Sequence, residues 1–168
     1  MPSLNRRAFL ATLGASTVSN VAGCSAIGTD DPPAGSLRFI NEDSLPHAMQ
    51  LAVTDVGSEL TNETGTVAGD VTVPAPQRNL TATEQLSSEE SATYTGVFTE
   101  PVWYAVECTI DGRQSSHREV RTQAVFHPAP PEREYVNYLQ ILLRDSGRVA
   151  VVVATTDNTG RYTPDSSE

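Results

Sequence analysis

Short runs of alternating apolar and polar residues, each closed off by Gly, Pro, Asn or Asp, leave this chain few ways to fold. Side chains of an extended strand point alternately to its two faces, so a period of two buries one face and wets the other. The clearest run is Val102 to Ile110, where Val102, Tyr104, Val106, Cys108 and Ile110 share a face and Trp103, Ala105, Glu107 and Thr109 share the other. Leu37 and Phe39 alternate with Arg38 and Ile40, and Met49, Leu51 and Val53 alternate with Gln50, Ala52 and Thr54. The connector from Asn41 to Pro46 has turn composition, which predicts that these two runs form an antiparallel pair. Val71 and Val73 mark a short strand stopped by Pro74 and Pro76, and Tyr94 to Phe98 marks another. Asp111-Gly112 is a hairpin signal with a return strand over 117–126. The last pair spans 135–143 and 148–155 around Asp145-Ser146-Gly147-Arg148, with Val149, Val151 and Val153 on one face. Residues 57–70 and 77–90 read as loops, the second with room for one helical turn.

Seven or eight short strands with no helix-period segment predict an all-β fold, an antiparallel Ig-like β-sandwich of two facing sheets over residues 36–156. The polar residues 157–168 read as a frayed tail.

The chain start carries a different message. Arg6-Arg7-Ala8-Phe9-Leu10 matches the twin-arginine export pattern, and the weakly apolar stretch from Ala8 to Ala22 is too short and polar for a membrane span. Val21-Ala22-Gly23-Cys24 then resembles a lipobox, with small residues that lie extended in a peptidase cleft before a thiol that takes lipid. Residues 1–23 are therefore expected to be a signal peptide cut between Gly23 and Cys24. Residues 24–35, rich in Gly, Pro and Asp, are expected to be a lipidated tether. The expected partners are the twin-arginine translocase during export and the outer face of the cytoplasmic membrane afterwards, through lipid on Cys24.

Charge narrows the function classes. The chain has 21 acids against 11 positive residues, all of them Arg. Loss of Arg6 and Arg7 leaves 9 Arg against the same 21 acids, a net of −12. Such a surface repels phosphate, so a nucleic-acid partner is not expected. In concentrated salt, like-charge repulsion is screened over a few ångström while carboxylates keep the surface hydrated. The absence of Lys beside abundant Asp, Glu, Thr and Val resembles proteins of extremely halophilic archaea. The strand order over 36–156, together with the export segment, resembles the Ig-like domains of haloarchaeal twin-arginine-exported lipoproteins of unknown function. The resemblance implies a surface domain without fixing its ligand.

Chemistry-bearing residues are few. Once Cys24 is lipidated, Cys108 has no disulfide partner, and its neighbours Val106 and Ile110 predict a buried apolar role. A copper centre of the two-His, one-Cys kind would draw on His47, Cys108 and His117, with Met49 and His127 as the other soft or imidazole donors. Against it, eight residues separate Cys108 from His117 and no Met follows the Cys. Gly-x-Ser-x-Gly and Asp-x-Asp-x-Asp do not occur, and Glu42-Asp43 and Glu89-Glu90 read as solvated pairs. Asn62-Glu63-Thr64 and Asn79-Leu80-Thr81 are candidate N-glycosylation sequons. Trp103, Tyr104, Tyr135 and Tyr138 are candidates for either a binding groove or core packing. The sum is a non-enzymatic, cofactor-free, lipid-anchored module that binds or organises an unidentified surface or extracellular partner, with a copper redox protein as the alternative.

Overall fold

The computed structural model describes residues 31–62, 66–112, 122–131 and 133–162. Those residues form an all-β sandwich of two four-stranded sheets. The first sheet holds β1 (Leu37–Asn41), β6 (Ser91–Tyr94), β9 (Val136–Leu143) and β10 (Val149–Thr156), in the order β10-β9-β1-β6. The second holds β2 (His47–Gly57), β5 (Thr81–Leu86), β7 (Trp103–Ile110) and β8 (Gln123–Phe126), in the order β5-β2-β7-β8. A two-stranded ribbon, β3 (Glu59–Asn62) with β4 (Thr66–Ala68), and one helical turn, α1 (Ala75–Arg78), complete the elements.

Alternation makes the core. Leu37 and Phe39 of β1 and Leu139, Ile141 and Leu143 of β9 face Met49, Leu51 and Val53 of β2 and Tyr104, Val106 and Cys108 of β7. A fully buried Leu or Phe contributes about 1.5–3 kcal/mol over its exposed state, so these two inner faces carry the stability. In β2 the register shifts between Val53 and Asp55, and that bulge turns Val56 back into the core.

The expected pairing of the first two runs does not occur. β1 pairs with β6 antiparallel and with β9 parallel, while β2 pairs with β5 and β7. The chain crosses between sheets after Asn41, so β1 and β2 face each other instead of lying side by side. Asn41 holds the crossing. Its buried amide Nδ2 donates to the carbonyls of Leu45 and Ser87 at 2.8 and 2.9 Å, and its Oδ1 accepts from Asp43 N–H at 3.0 Å. The β1–β9 contact also makes the first sheet mixed where an antiparallel one was expected.

Other boundaries move for identifiable reasons. Residues 57–70, expected as loop, contain the β3–β4 ribbon, whose one apolar cross-strand pair is Leu60 with Val67. Residues 71–74 form no strand, and Val73 enters the core from irregular backbone. β5 lies inside the expected 77–90 loop; as an edge strand it fully buries only Leu86. β6 ends at Tyr94, and Phe98 reaches the core from beyond it, with ring centroids 5.0 Å from Tyr104 and 4.7 Å from Phe126. β8 covers the second half of the expected return strand, and residues 117–121 lie outside the described residues.

The expected tether and tail are shorter than composition implied. Ala34 N–H donates to Asn158 O and Gly35 N–H to Asn137 O, both at 2.9 Å. Phe98 N–H donates to Gly35 O at 3.0 Å, and the Tyr162 hydroxyl donates to Phe98 O at 2.6 Å. Folded structure thus starts before Ser36 and runs past Thr156. Gly35 makes this possible, because it sits at φ +74 and a Cβ there would strike the Phe98 carbonyl oxygen and the Tyr162 ring. Gly35→Ala should therefore lower stability by about 2 kcal/mol or more, read as a drop in the guanidinium midpoint. An unchanged midpoint would show that residues 33–35 are not held against Phe98.

Candidate functional site

Cys108 pairs with Leu51 in the centre of the second sheet and is completely buried. Burial, with Glu107 adding its negative charge, pushes the thiol up to about 12. A thiol held protonated to that extent is a poor nucleophile and a poor metal ligand. It behaves as the small apolar residue that its neighbours implied.

The candidate copper ligands among the described residues do not converge. His47 lies four residues before Leu51 along β2, about 13 Å from Cys108 by strand rise. His127 follows Phe126, which pairs with Tyr104, so it sits beside Trp103 at the far end of the same sheet. Met49 is a core residue opposite Ile110, and His117 lies outside the described residues. Among the described residues, no group of three or more His, Cys, Asp or Glu side chains is placed to hold a metal ion.

His47 instead closes one end of the sandwich. Its Nδ1 is 2.8 Å from Asp111 Oδ2, and its Nε2 is 3.7 Å from Asp43 Oδ1. Both carboxylates also serve the backbone: Asp111 Oδ1 accepts from Ala48 N–H and Asp43 Oδ1 from Leu45 N–H. The cluster joins the β1–β2 connector to the turn after β7. Sequence reading missed it because His47 and Asp111 are 64 residues apart.

The opposite end is closed by a second polar set. The Tyr104 hydroxyl donates to Gln77 Oε1 at 2.8 Å and accepts from Glu100 N–H at 3.2 Å. Gln77 Oε1 also accepts from Thr99 N–H at 2.9 Å, while its Nε2 donates to Val97 O at 3.0 Å. Burial raises the Tyr104 hydroxyl to about 12, so it remains a donor. Gln77 gave no sequence signal, since it sits in a polar stretch beside Pro76.

His127 is buried beside Trp103, with ring centroids 5.1 Å apart. Its Nδ1 accepts from Ala129 N–H at 3.1 Å, and the ring also bonds the Pro101 backbone, whose only polar group is an acceptor. This fixes the neutral Nε2–H tautomer. Burial lowers its pKa to about 4.

The four candidate groove aromatics are scattered. Tyr104 is core, and Trp103 lies on the outer side of the second sheet. Tyr138 lies on the outer side of the first, accepting from Gln140 Nε2 at 3.1 Å. Tyr135 is exposed, with the Arg133 guanidinium carbon 5.5 Å from its ring centre. They line no common groove. Of the sequon residues, Asn79 is exposed at the end of α1, and Asn62 ends β3 opposite Thr66, in a ribbon where a loop was expected. Arg6, Arg7, Gly23 and Cys24 lie outside the described residues. Comparison with protein families, curated proteins and solved structures finds no match to this chain.

The His127 environment sets a pH dependence. Between about pH 6.5 and 4 the unfolded chain takes up a proton that the folded ring refuses. Stability contributed by the neutral ring is therefore full above 6.5 and lost as pH falls towards 4, by up to about 3 kcal/mol. His127→Gln should flatten the loss of urea midpoint over this window relative to the parent chain. Parallel curves would mean the ring is not held neutral.

Proposed function

We propose that this chain is a lipid-anchored domain on the outer face of the cytoplasmic membrane, exported folded by the twin-arginine translocase. There it serves as a non-enzymatic binding or structural module. The contrast between its two cysteines carries the reading. Cys108 is sealed in the core, whereas Cys24 follows Val21-Ala22-Gly23 at the end of an apolar run that begins with an arginine pair. Only the second has the chemistry of a lipid acceptor.

The fold supplies a geometric consequence. Residues from Ala34 onward are bonded into the sandwich, and Ala34 lies ten residues after Cys24. Ten residues span at most roughly 35 Å. An anchored domain would therefore ride close to the headgroups. Its charge gives it no attraction to an anionic leaflet, so the lipid itself would hold it.

Three further observations support finer parts of the reading. The Tyr104 hydroxyl reaches back four residues to Glu100 from near the start of a core strand, as the tyrosine corner of Ig-like sandwiches does. The polar groups of Gln77, Tyr104 and His127 bond largely to backbone, which suits a structural role better than catalysis. The missing Lys and the net charge of −10 suit a domain that works in concentrated salt.

Export and anchoring are separable by mutation. Cys24→Ser should move the protein from the detergent phase to the medium, or leave uncleaved precursor. Arg6→Lys with Arg7→Lys should stop it reaching the surface. Intact-mass measurement of the native protein supplies the direct reading: a mature chain starting at Cys24 with added lipid mass is expected, and an unmodified chain retaining Met1 would overturn the scheme.

A further inference from the structure

Asn79-Leu80-Thr81 joins α1 to β5, and the fold presents this sequon to water. Leu80 packs against the core, and its carbonyl accepts from Val53 N–H at 2.9 Å. Asn79 and Thr81, on either side of it, are exposed. The Asn79 backbone N–H donates to Ala75 O at 3.1 Å, whereas its side-chain amide bonds to none of the described residues. Thr81 opens β5, an outer strand of the second sheet that among the described residues pairs only with β2. The motif requires an amide and a hydroxyl two residues on, and both are reachable here without opening the sandwich. Of the other sequon, Glu63 and Thr64 lie outside the described residues.

The place of Asn79 in the fold is a second, independent observation. Gln77 Nε2 donates to Val97 O, and Phe98 N–H donates to Gly35 O, both at 3.0 Å. Val97 and Phe98 thus tie α1 to the point where the chain enters the sandwich, and Asn79 follows Gln77 by two residues. Leu86 stands opposite His47 and Thr81 opposite Ala52, so the sequon lies at the end of β5 away from the His47 clasp. A domain tethered through Cys24 carries this end nearest its anchor.

We infer that Asn79 is a glycan acceptor, modified at the outer surface from an oligosaccharide carried on a lipid phosphate in the membrane. This rests on the proposed surface address. Delivery in folded form leaves only groups exposed in the fold open to an external transferase, and a donor held in the bilayer meets the anchored end first. In the transfer, the anomeric carbon of the first sugar exchanges its bond to the phosphate oxygen for a bond to Asn79 Nδ2. The lipid phosphate leaves with the electron pair, Nδ2 gives up one proton, and nothing is oxidised or reduced.

Trypsin separates the two sequons, because cleavage after Arg38, Arg78 and Arg113 puts Asn62 in peptide 39–78 and Asn79 in peptide 79–113. In protein taken from the membrane of the native host, peptide 79–113 should carry added oligosaccharide mass. That mass should vanish in Asn79→Gln and Thr81→Ala and persist in Thr81→Ser, each with an unchanged circular dichroism spectrum. The precursor retained by Arg6→Lys with Arg7→Lys should yield the bare peptide. A bare peptide from surface protein, glycan mass that survives Thr81→Ala, or glycan mass on the retained precursor would each overturn the inference. The fragment ending at Arg38 reads Cys24 separately in the same digest. Lipid on Cys24 with a bare peptide 79–113 defeats the glycan acceptor alone, while glycan on Asn79 beside an unlipidated Cys24 upholds the acceptor and defeats the anchor.

Discussion

The position of every other strand follows from how the chain leaves β1. Asn41 ends an inward-facing row that begins with Leu37 and Phe39, and a polar side chain there is tolerated only if its amide is satisfied. It is satisfied by carbonyls of two different connectors, the one that follows β1 and the one that follows β5. That amide therefore pins the crossing from the first sheet to the second. With β1 and β2 on opposite sides of the core, β1 is free to take β9 and β6 as neighbours, and β2 becomes an inner strand of the other sheet. A hairpin at residues 42–46 would put both runs in one sheet and leave Asn41 without these acceptors.

The two ends of the sandwich are closed differently. At the Asn41 end, His47 and two carboxylates clasp turns that would otherwise splay. At the other end, Gly35, Phe98, Tyr104, Gln77 and Tyr162 interlock, so both ends of the described chain press on the same aromatic cluster. A buried polar network of this kind is favourable only when its members are paired. The phenolic hydroxyls of Tyr104 and Tyr162 both sit above their ordinary pKa because of burial, which keeps them protonated donors. Residues 33–35 and 157–162 therefore belong to the fold even though their Gly, Pro and Asp content reads as linker.

What could be read from the sequence follows physical lines. β7, β9 and β10 were legible because central or β-branched strands bury a whole face and show it as alternation. β5 was not, since an edge strand with one buried residue leaves almost no pattern. The β1–β2 relation was misread because a hairpin and a sheet-to-sheet crossing use the same turn residues. What separates them is an inward Asn, whose partners Leu86 and Ser87 are about forty-five residues away. Gly35 looked like spacer although its positive φ is what lets the chain pass under Phe98. For the candidate site, Cys108 was legible from Val106 and Ile110. The His47 clasp and the Gln77 network were not, because each forms only when distant turns meet.

The acids obey a rule that composition alone could not display. Among the strands only β2, β3, β5 and β7 carry one, at Asp55, Glu59, Glu84 and Glu107, and none of these is buried. The strands of the first sheet carry no acid at all; their sole charge is Arg38. Carboxylates thus collect in turns, connectors and the second sheet, where water and counterions reach them and mutual repulsion is screened. Placing even one on β9 would cost several kcal/mol of desolvation without a partner. A chain this acidic can still fold because its negative charge is segregated from the apolar ladder.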